Sequence, residues 1–325
     1  MSDANHWQYF ADFCRNERAV GGPDPHMVIA GHLSKDCPLG ERIWRGGCYV
    51  GTYNVPAAEA LWQAWPWPTA FGKQEELSTW LKEHWEGIPT RRERRCVRTP
   101  AKMARYLSHY ADWERALLLN GINTIETYEE AWERTHRLYA MGRYGAMKLL
   151  EFLHRYCGLE PNMPDIRAKG GDSPREALAM LYPDKAAFIN GPNDEYAIAE
   201  IERIAACGKA RLLNEFGIEL DFYLFQVLLC DYKQSYKGQR QYPGRSHDSE
   251  IEYAGKVIAH FGERTLMYQA RKELFPAMAL GELSGWNGVR KELGTVLRQY
   301  GYTWSDLEYD YLSTVSLGAP AQWQS

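Results

Sequence analysis

A chain of 325 residues, 45% hydrophobic and 25% charged, has the composition of an ordinary globular protein with a large core. Its net charge of −4 excludes a protein that coats nucleic acid through bulk charge, so any contact with an anionic partner must come from local patches. Seven scattered cysteines without a Cys-x-x-Cys spacing exclude a disulfide framework, a zinc site and a four-cysteine iron–sulfur cluster, and no apolar run reaches the length of a membrane span or a signal peptide. In chain order, residues 1–20 predict an amphipathic helix with Trp7, Phe10, Ala11, Cys14 and Arg18 at helical spacing, ended by Gly21-Gly22-Pro23-Asp24-Pro25. Residues 26–56, broken by glycines at 31, 40, 46, 47 and 51, read as the least regular part of the first half, with a short strand or extended loop near its end. Residues 57–65 and 74–85 return to helical spacing, with Pro66-Trp67-Pro68 between them.

The main charge feature follows. Residues 89–102 hold Arg91, Arg92, Arg94, Arg95, Arg98 and Lys102 against one acid, Glu93. Most such runs are solvated faces, but this one is irregular, bracketed by Pro89 and Pro100 and preceded by Trp80 and Trp85, which suits anion binding equally well. Residues 101–118 and 126–139 predict helices leading to a break at Met141-Gly142-Arg143. Beyond it Met147, Leu150 and Leu153, broadened by Leu149, Phe152 and Tyr156, mark a second helix. Gly158, Pro161 and Pro164 stop that helix and deliver Asp165 to an irregular segment. Residues 167–175 then form a basic, glycine-rich stretch suited to cradling phosphate. It lacks the Gly-Lys-Ser/Thr ending of a P-loop, so ATP chemistry is not expected.

Helices are predicted at 174–181, 194–206 and 219–230. The stretch between Tyr232 and His247 carries Lys233, Lys237, Arg240 and Arg245 with no acid and reads as a loop facing an anionic partner, or else as a plain surface loop. Val289, Leu293, Val296 and Leu297 predict a helix after Trp286, and Ser305 with Glu308 a capping box opening the last one. The fold class expected is mostly α: one helical catalytic domain, with an N-terminal lobe over about residues 1–125 and the hairpin with a C-terminal lobe over about 126–325. Twelve Trp and 21 Tyr exceed what such a core needs and supply stacking surfaces.

Helix, glycine hairpin, helix and a later aspartate resemble the helix-hairpin-helix DNA glycosylase superfamily. There the hairpin amides grip a DNA phosphate and the aspartate faces a flipped nucleotide. The ordinary alternative is an αα-hairpin in which Gly142 takes a positive φ. A wider set of short motifs spans most of the chain: Tyr53-Asn54-Val55-Pro56, Trp65-Pro66-Trp67-Pro68, the run 91–102, Met141-Gly142-Arg143-Tyr144, Asp165-Ile166-Arg167, Trp286-Asn287-Gly288-Val289-Arg290 and Trp304-Ser305-Asp306-Leu307. Together they resemble the bacteriophage amino acid:DNA transferases, also called α-glutamyl/putrescinyl thymine pyrophosphorylase-like proteins.

That resemblance implies double-stranded DNA carrying phosphorylated 5-hydroxymethyluracil as substrate, supplied by a separate hydroxymethyluracil DNA kinase in the cytoplasm of an infected bacterium. It implies an amino acid, for example glycine, or a polyamine as the co-substrate whose amine displaces phosphate or pyrophosphate. No cofactor and no metal are implied, and no membrane partner.

The chemistry can be set against the residues. A modified base must leave the stack, which needs an aromatic slot and edge contacts; Tyr53 and Asn54 are the candidates, the plain reading of Asn54 being a turn. The departing phosphate and the DNA backbone call for cations and amides: Arg91, Arg92, Arg94, Arg95, Gly142, Arg143, Lys169, Lys233 and Arg240. The amine needs a general base, and Asp165 is the choice by position, with Asp172 as its rival or as the site for the substrate ammonium; a turn or N-cap role is the plain reading of Asp165. His154 and His247 are the remaining possible bases, His154 reading as structural. A glycosylase acting on a modified base, or a non-enzymatic DNA-binding protein, fits the same hairpin and basic runs.

Overall fold

The computed structural model describes residues 3–19, 24–236, 245–262 and 266–274, and within these every regular element is helical. Arg240 and the motifs expected from Trp286 onward, including the Ser305–Glu308 capping box, lie outside the described residues, as do the side chains of Arg92, Arg95 and His247.

Helix starts follow the local chemistry closely. Helix α1 spans Asp3–Ala19 and α2 Pro25–His32. Asp24 caps α2, its carboxylate accepting from Met27 N–H at 3.3 Å, while Pro25 occupies the first turn, where a missing N–H costs nothing. Helix α3 (Leu39–Thr52) ends at Tyr53, and α4 (Val55–Ala64) begins under Asn54, whose side chain accepts from Ala57 N–H at 2.8 Å. Helix α5 covers Gln74–His84. Thr99 caps α6 (Pro100–Asn120) and Thr127 caps α7 (Tyr128–His136) in the same way.

The glycine-rich stretch 40–51 is helix, not strand or loop. Its glycines serve close packing: a Cβ at Gly46 would lie 2.6 Å from the Phe152 ring, at Gly47 2.0 Å from Tyr110 and at Gly51 2.5 Å from Tyr106. Helix α3 therefore buries its backbone against rings of α6 and of α8 (Arg143–Cys157). Tyr106 and Tyr110 return hydroxyl hydrogen bonds to the carbonyls of Gly47 and Ile43 at 3.0 and 2.7 Å. The ring contacts and the buried hydroxyls offset the cost of placing these three glycines within a helix.

After α8 come α9 (Asp172–Leu181), the single turn α10 (Ala186–Ile189), α11 (Glu195–Phe216), α12 (Phe222–Tyr236), α13 (Arg245–Phe261) and α14 (Met267–Leu274). Helices α11 and α12 run further than their apolar periodicity indicated, so Lys233 sits on a helix, not in a loop. The described buried apolar residues form two clusters. One joins α2–α8 with α13 and α14, and the other joins α1 with residues 166–232.

A chain of charges, buried at Lys148, Asp24 and Glu151 and half-buried at Arg155 and Asp221, links them. Lys148 Nζ lies 2.6 Å from Asp24 and 2.9 Å from Glu151, Glu151 pairs with Arg155 at 3.1 Å, and Arg155 pairs with Asp221 at 3.0 Å at the start of α12.

One buried carboxyl has no such partner. Glu114 of α6 is fully buried, and burial pushes it up to about 9, the Trp67 indole offsetting only part of this. Between the ordinary value of 4.5 and about 9 the folded chain therefore holds one more proton than the unfolded chain, and stability falls as pH rises through that window. Glu114→Gln keeps the shape and removes this titration. Urea unfolding at about pH 6 and about pH 8 should show the variant gaining on the wild type by up to about 1.4 kcal/mol per pH unit; parallel curves would mean that Glu114 is ionised in the folded state.

Candidate functional site

The turn between α7 and α8 carries its left-handed residue at Ala140 (φ 59°), not at Gly142, which is extended (φ −79°, ψ 173°). Gly142 is exposed, and a Cβ added there would meet nothing within 4 Å. Nothing inside the chain requires glycine at this position. The start of α8 has no side-chain cap, so no side chain of the N-cap residue satisfies its first amides at the positive end of the helix dipole.

Three groups of residues converge on this helix start. The first comes from the end of α3. Tyr53 is left-handed (φ 51°) and buried, and its hydroxyl lies 2.5 Å from that of Tyr144 and donates to Asp24 at 3.2 Å. Burial, followed by the charge of Asp24, pushes the Tyr53 phenol well above its usual range. Burial alone would raise Asp24 and lower Lys148, but the two hold each other ionised: the Asp24 carboxyl falls below its usual range and the Lys148 ammonium rises well above its own. Tyr144, by contrast, is exposed. A surface phenol thus rests on a buried tyrosine, an aspartate and a lysine.

The second group is the segment after Pro164. Arg143 Nη1 donates to the Arg167 carbonyl at 3.0 Å and its guanidinium packs over Gly171, so the hairpin tip and the glycine-rich segment are held together. Asp165 Oδ1 accepts from Arg167 N–H at 2.6 Å, and Oδ2 lies 3.5 Å from Arg167 Nη1. Arg167 is itself left-handed (φ 54°), with its guanidinium over the rings of Tyr128 and Trp132 at 4.7 and 4.6 Å. Glu202 of α11 accepts from the amides of Ile166, at 3.0 Å, and Ala168. Burial and the neighbouring Asp165 push the Glu202 carboxyl up to about 7. Lys169, Gly170 and Asp172 stand exposed at the start of α9. Non-glycine residues at positive φ cost free energy, and all three among the described residues, Tyr53, Ala140 and Arg167, flank the start of α8.

The third group is the basic run, and it divides. Residues 92–97 form two short 3-10 turns kinked at Arg94. Arg91 N–H bonds the Thr52 carbonyl at 3.0 Å, and its guanidinium lies over the Tyr253 ring at 5.8 Å. Arg94 is 2% exposed, over the Tyr106 ring at 5.3 Å and against Gly145.

Not every expected site residue joins this face. Lys233 is buried and ion-paired with Glu176 at 3.3 Å, so its charge is compensated within the chain. Asn54 is a buried N-cap whose Nδ2 has no partner among the described residues. His154 bonds the Leu159 carbonyl at 2.8 Å, a structural role.

Lys148 and Glu202 carried no sequence signal as site residues. A lysine on an apolar helix face is read as facing outward, and Glu202 meets Asp165 only through the fold. All seven cysteines are free. Among the described residues no group of three or more His, Cys, Asp or Glu side chains could hold a metal ion, and no helix is long and apolar enough to cross a membrane.

Arginines, carboxylates and uncapped amides gathered at one helix start have the chemistry that an anionic substrate calls for. Residues 51–240, more than half of the chain, match the family model described as amino acid:DNA transferase, and the chain belongs to that family. It is accordingly a transferase that acts on DNA with an amino acid. No curated protein and no solved structure matches it.

Proposed function

We propose that this protein replaces the phosphate or pyrophosphate on an activated 5-hydroxymethyluracil in duplex DNA with the amine of an amino acid or polyamine, downstream of a kinase that phosphorylates the hydroxymethyl group. Family membership supports the transfer. The observation that carries the site is the Arg143–Arg167 hydrogen bond, which joins the start of α8 to the Asp165 segment.

In this reading the α8 amides, Gly142, Arg143 and Lys169 hold a DNA phosphate and the leaving group. The target base is turned out of the stack toward the exposed Tyr144, because its exocyclic carbon is out of reach within the duplex. The incoming ammonium gives one proton to Asp165. The amine nitrogen then bonds to the methylene carbon as the carbon–oxygen bond to phosphate breaks, the electron pair leaving with the phosphate. The remaining excess proton on nitrogen passes to solvent. Glu202 holds the 166–168 backbone that presents Asp165.

The test is nucleoside mass spectrometry after incubating phosphorylated hydroxymethyluracil DNA with the protein and an amine. Phosphate replaced by the amine supports the proposal, whereas loss of the base would indicate a glycosylase and an unchanged nucleoside a non-enzymatic binder.

DNA affinity should also depend steeply on salt, and Arg143→Ala with Lys169→Ala should lower the log–log slope by about two units. An unchanged slope would remove these two cations from the interface.

A further inference from the structure

Arg94 presents a problem that the fold leaves unsolved. Arg94 is 2% exposed, and neither Nε nor Nη2 of its guanidinium has a hydrogen-bond partner among the described residues. A buried cation without a compensating anion is among the least favourable arrangements in a protein. The two unpartnered nitrogens form one edge of the guanidinium fork, the edge that binds a carboxylate through two parallel hydrogen bonds. Nη1, on the other edge, lies against Gly145 in the first turn of α8, where a Cβ would come within 2.6 Å of it. Tyr106 covers the guanidinium face at 5.3 Å, and Met141 Sδ lies on the same side of Gly145. The donors thus sit beside an uncapped helix start whose dipole also favours an anion.

We infer that the Nε–Nη2 edge of Arg94 is the binding site for the α-carboxylate of the amino-acid co-substrate. The inference rests on the co-substrate of the proposed reaction being an amino acid and not a polyamine. Charge balance selects the carboxylate over the phosphate leaving group: one guanidinium neutralises one carboxylate, whereas a phosphate dianion would leave net negative charge in an apolar setting. The binding edge belongs to a residue that is buried as it stands, so the carboxylate enters as the 92–97 turns that carry Arg94 move. A carboxylate held here keeps a small amino acid beside the first turn of α8, where Arg94 meets Gly145. It also makes the enzyme discriminate against amines that lack the acid group.

Calorimetric titration of the full chain with glycine, with glycinamide and with inorganic phosphate tests this without DNA or turnover, so it fails independently of the proposed reaction. Glycine should bind at least about tenfold more tightly than glycinamide, the usual worth of a charge-assisted pair. That preference should vanish in Arg94→Met and in Arg94→Lys, which keeps the charge but not the fork. Without glycine, Arg94→Met should melt no lower than the wild type, because it removes an unpaired buried charge; a merely structural arginine would lower the melting temperature.

Equal binding of glycine and glycinamide, glycine binding unchanged in the variants, or displacement of glycine by phosphate would each overturn the assignment, the last by giving the site to the leaving group. If Arg94→Met does not fold, the glycinamide comparison on the wild type and Arg94→Lys decide the matter.

Discussion

Asp165→Asn is expected to lower single-turnover formation of the modified nucleoside by about a hundred- to ten-thousand-fold, the usual contribution of a general base, at an unchanged melting temperature. The fold should survive because Arg167 N–H donates to Oδ1 at 2.6 Å, a bond that an amide oxygen accepts equally well. What the substitution removes is the second carboxylate oxygen and the charge. The lost charge has its own readout. Glu202 is pushed up to about 7 by burial and then by Asp165, so neutralising Asp165 should lower the Glu202 titration. Any acid limb of the pH profile that Glu202 controls should move to lower pH. Asp172→Asn, at the exposed start of α9, tests the rival carboxylate in the same assay. Near-normal turnover in Asp165→Asn, or a large fall in melting temperature, would remove Asp165 from the mechanism and leave Asp172 or His247 as the base to examine.

Lys148→Met should produce the largest loss of stability. The methionine fills much of the same volume but leaves Asp24 and Glu151 buried without the ammonium that lies 2.6 and 2.9 Å from them. Removing one partner of a buried ion pair typically costs about 3–5 kcal/mol. The pH dependence distinguishes this cause from simple repacking. In the wild type the Asp24 carboxyl is held below its usual range, so its contribution to stability is present above the unfolded-state value and is lost only as pH falls through the lowered one. In the variant the uncompensated Asp24 carboxyl favours protonation, so the loss should be smaller at about pH 5 than at about pH 8. Urea unfolding measures both, and an equal loss at the two pH values would mean that packing, not charge, is responsible. DNA transfer should fall as well, since Tyr53 and Tyr144 rest on Asp24.

Much of the secondary structure was written in local sequence. Asp24, Asn54, Thr99 and Thr127 are short polar side chains placed to accept from the first free amides, and the helices begin where they stand. The apolar residues Met147, Leu150 and Leu153 all proved buried on α8, because a repeat of 3.6 residues needs no knowledge of the partner. The helix, turn, helix and following aspartate were legible for the same reason, and the resemblance carried by the short motifs agrees with the family match over residues 51–240.

Where the outcome depended on a distant surface, the sequence alone was silent or misleading. The glycines of α3 look like breaks until the rings of Tyr106, Tyr110 and Phe152 are set against them. Lys148 looks solvated until Asp24 arrives from the cap of α2. Lys233 looks free until it meets Glu176. Arg94 looks like one cation among several in a basic run until its burial under the Tyr106 ring is seen. Glu202 becomes part of the site only because α11 packs beside residues 166–168. Helix propensity and capping act over a single turn, so composition and spacing express them. Burial, charge compensation and the fit of a ring against a glycine are properties of pairs remote in the chain, and only the tertiary structure decides which pairs meet.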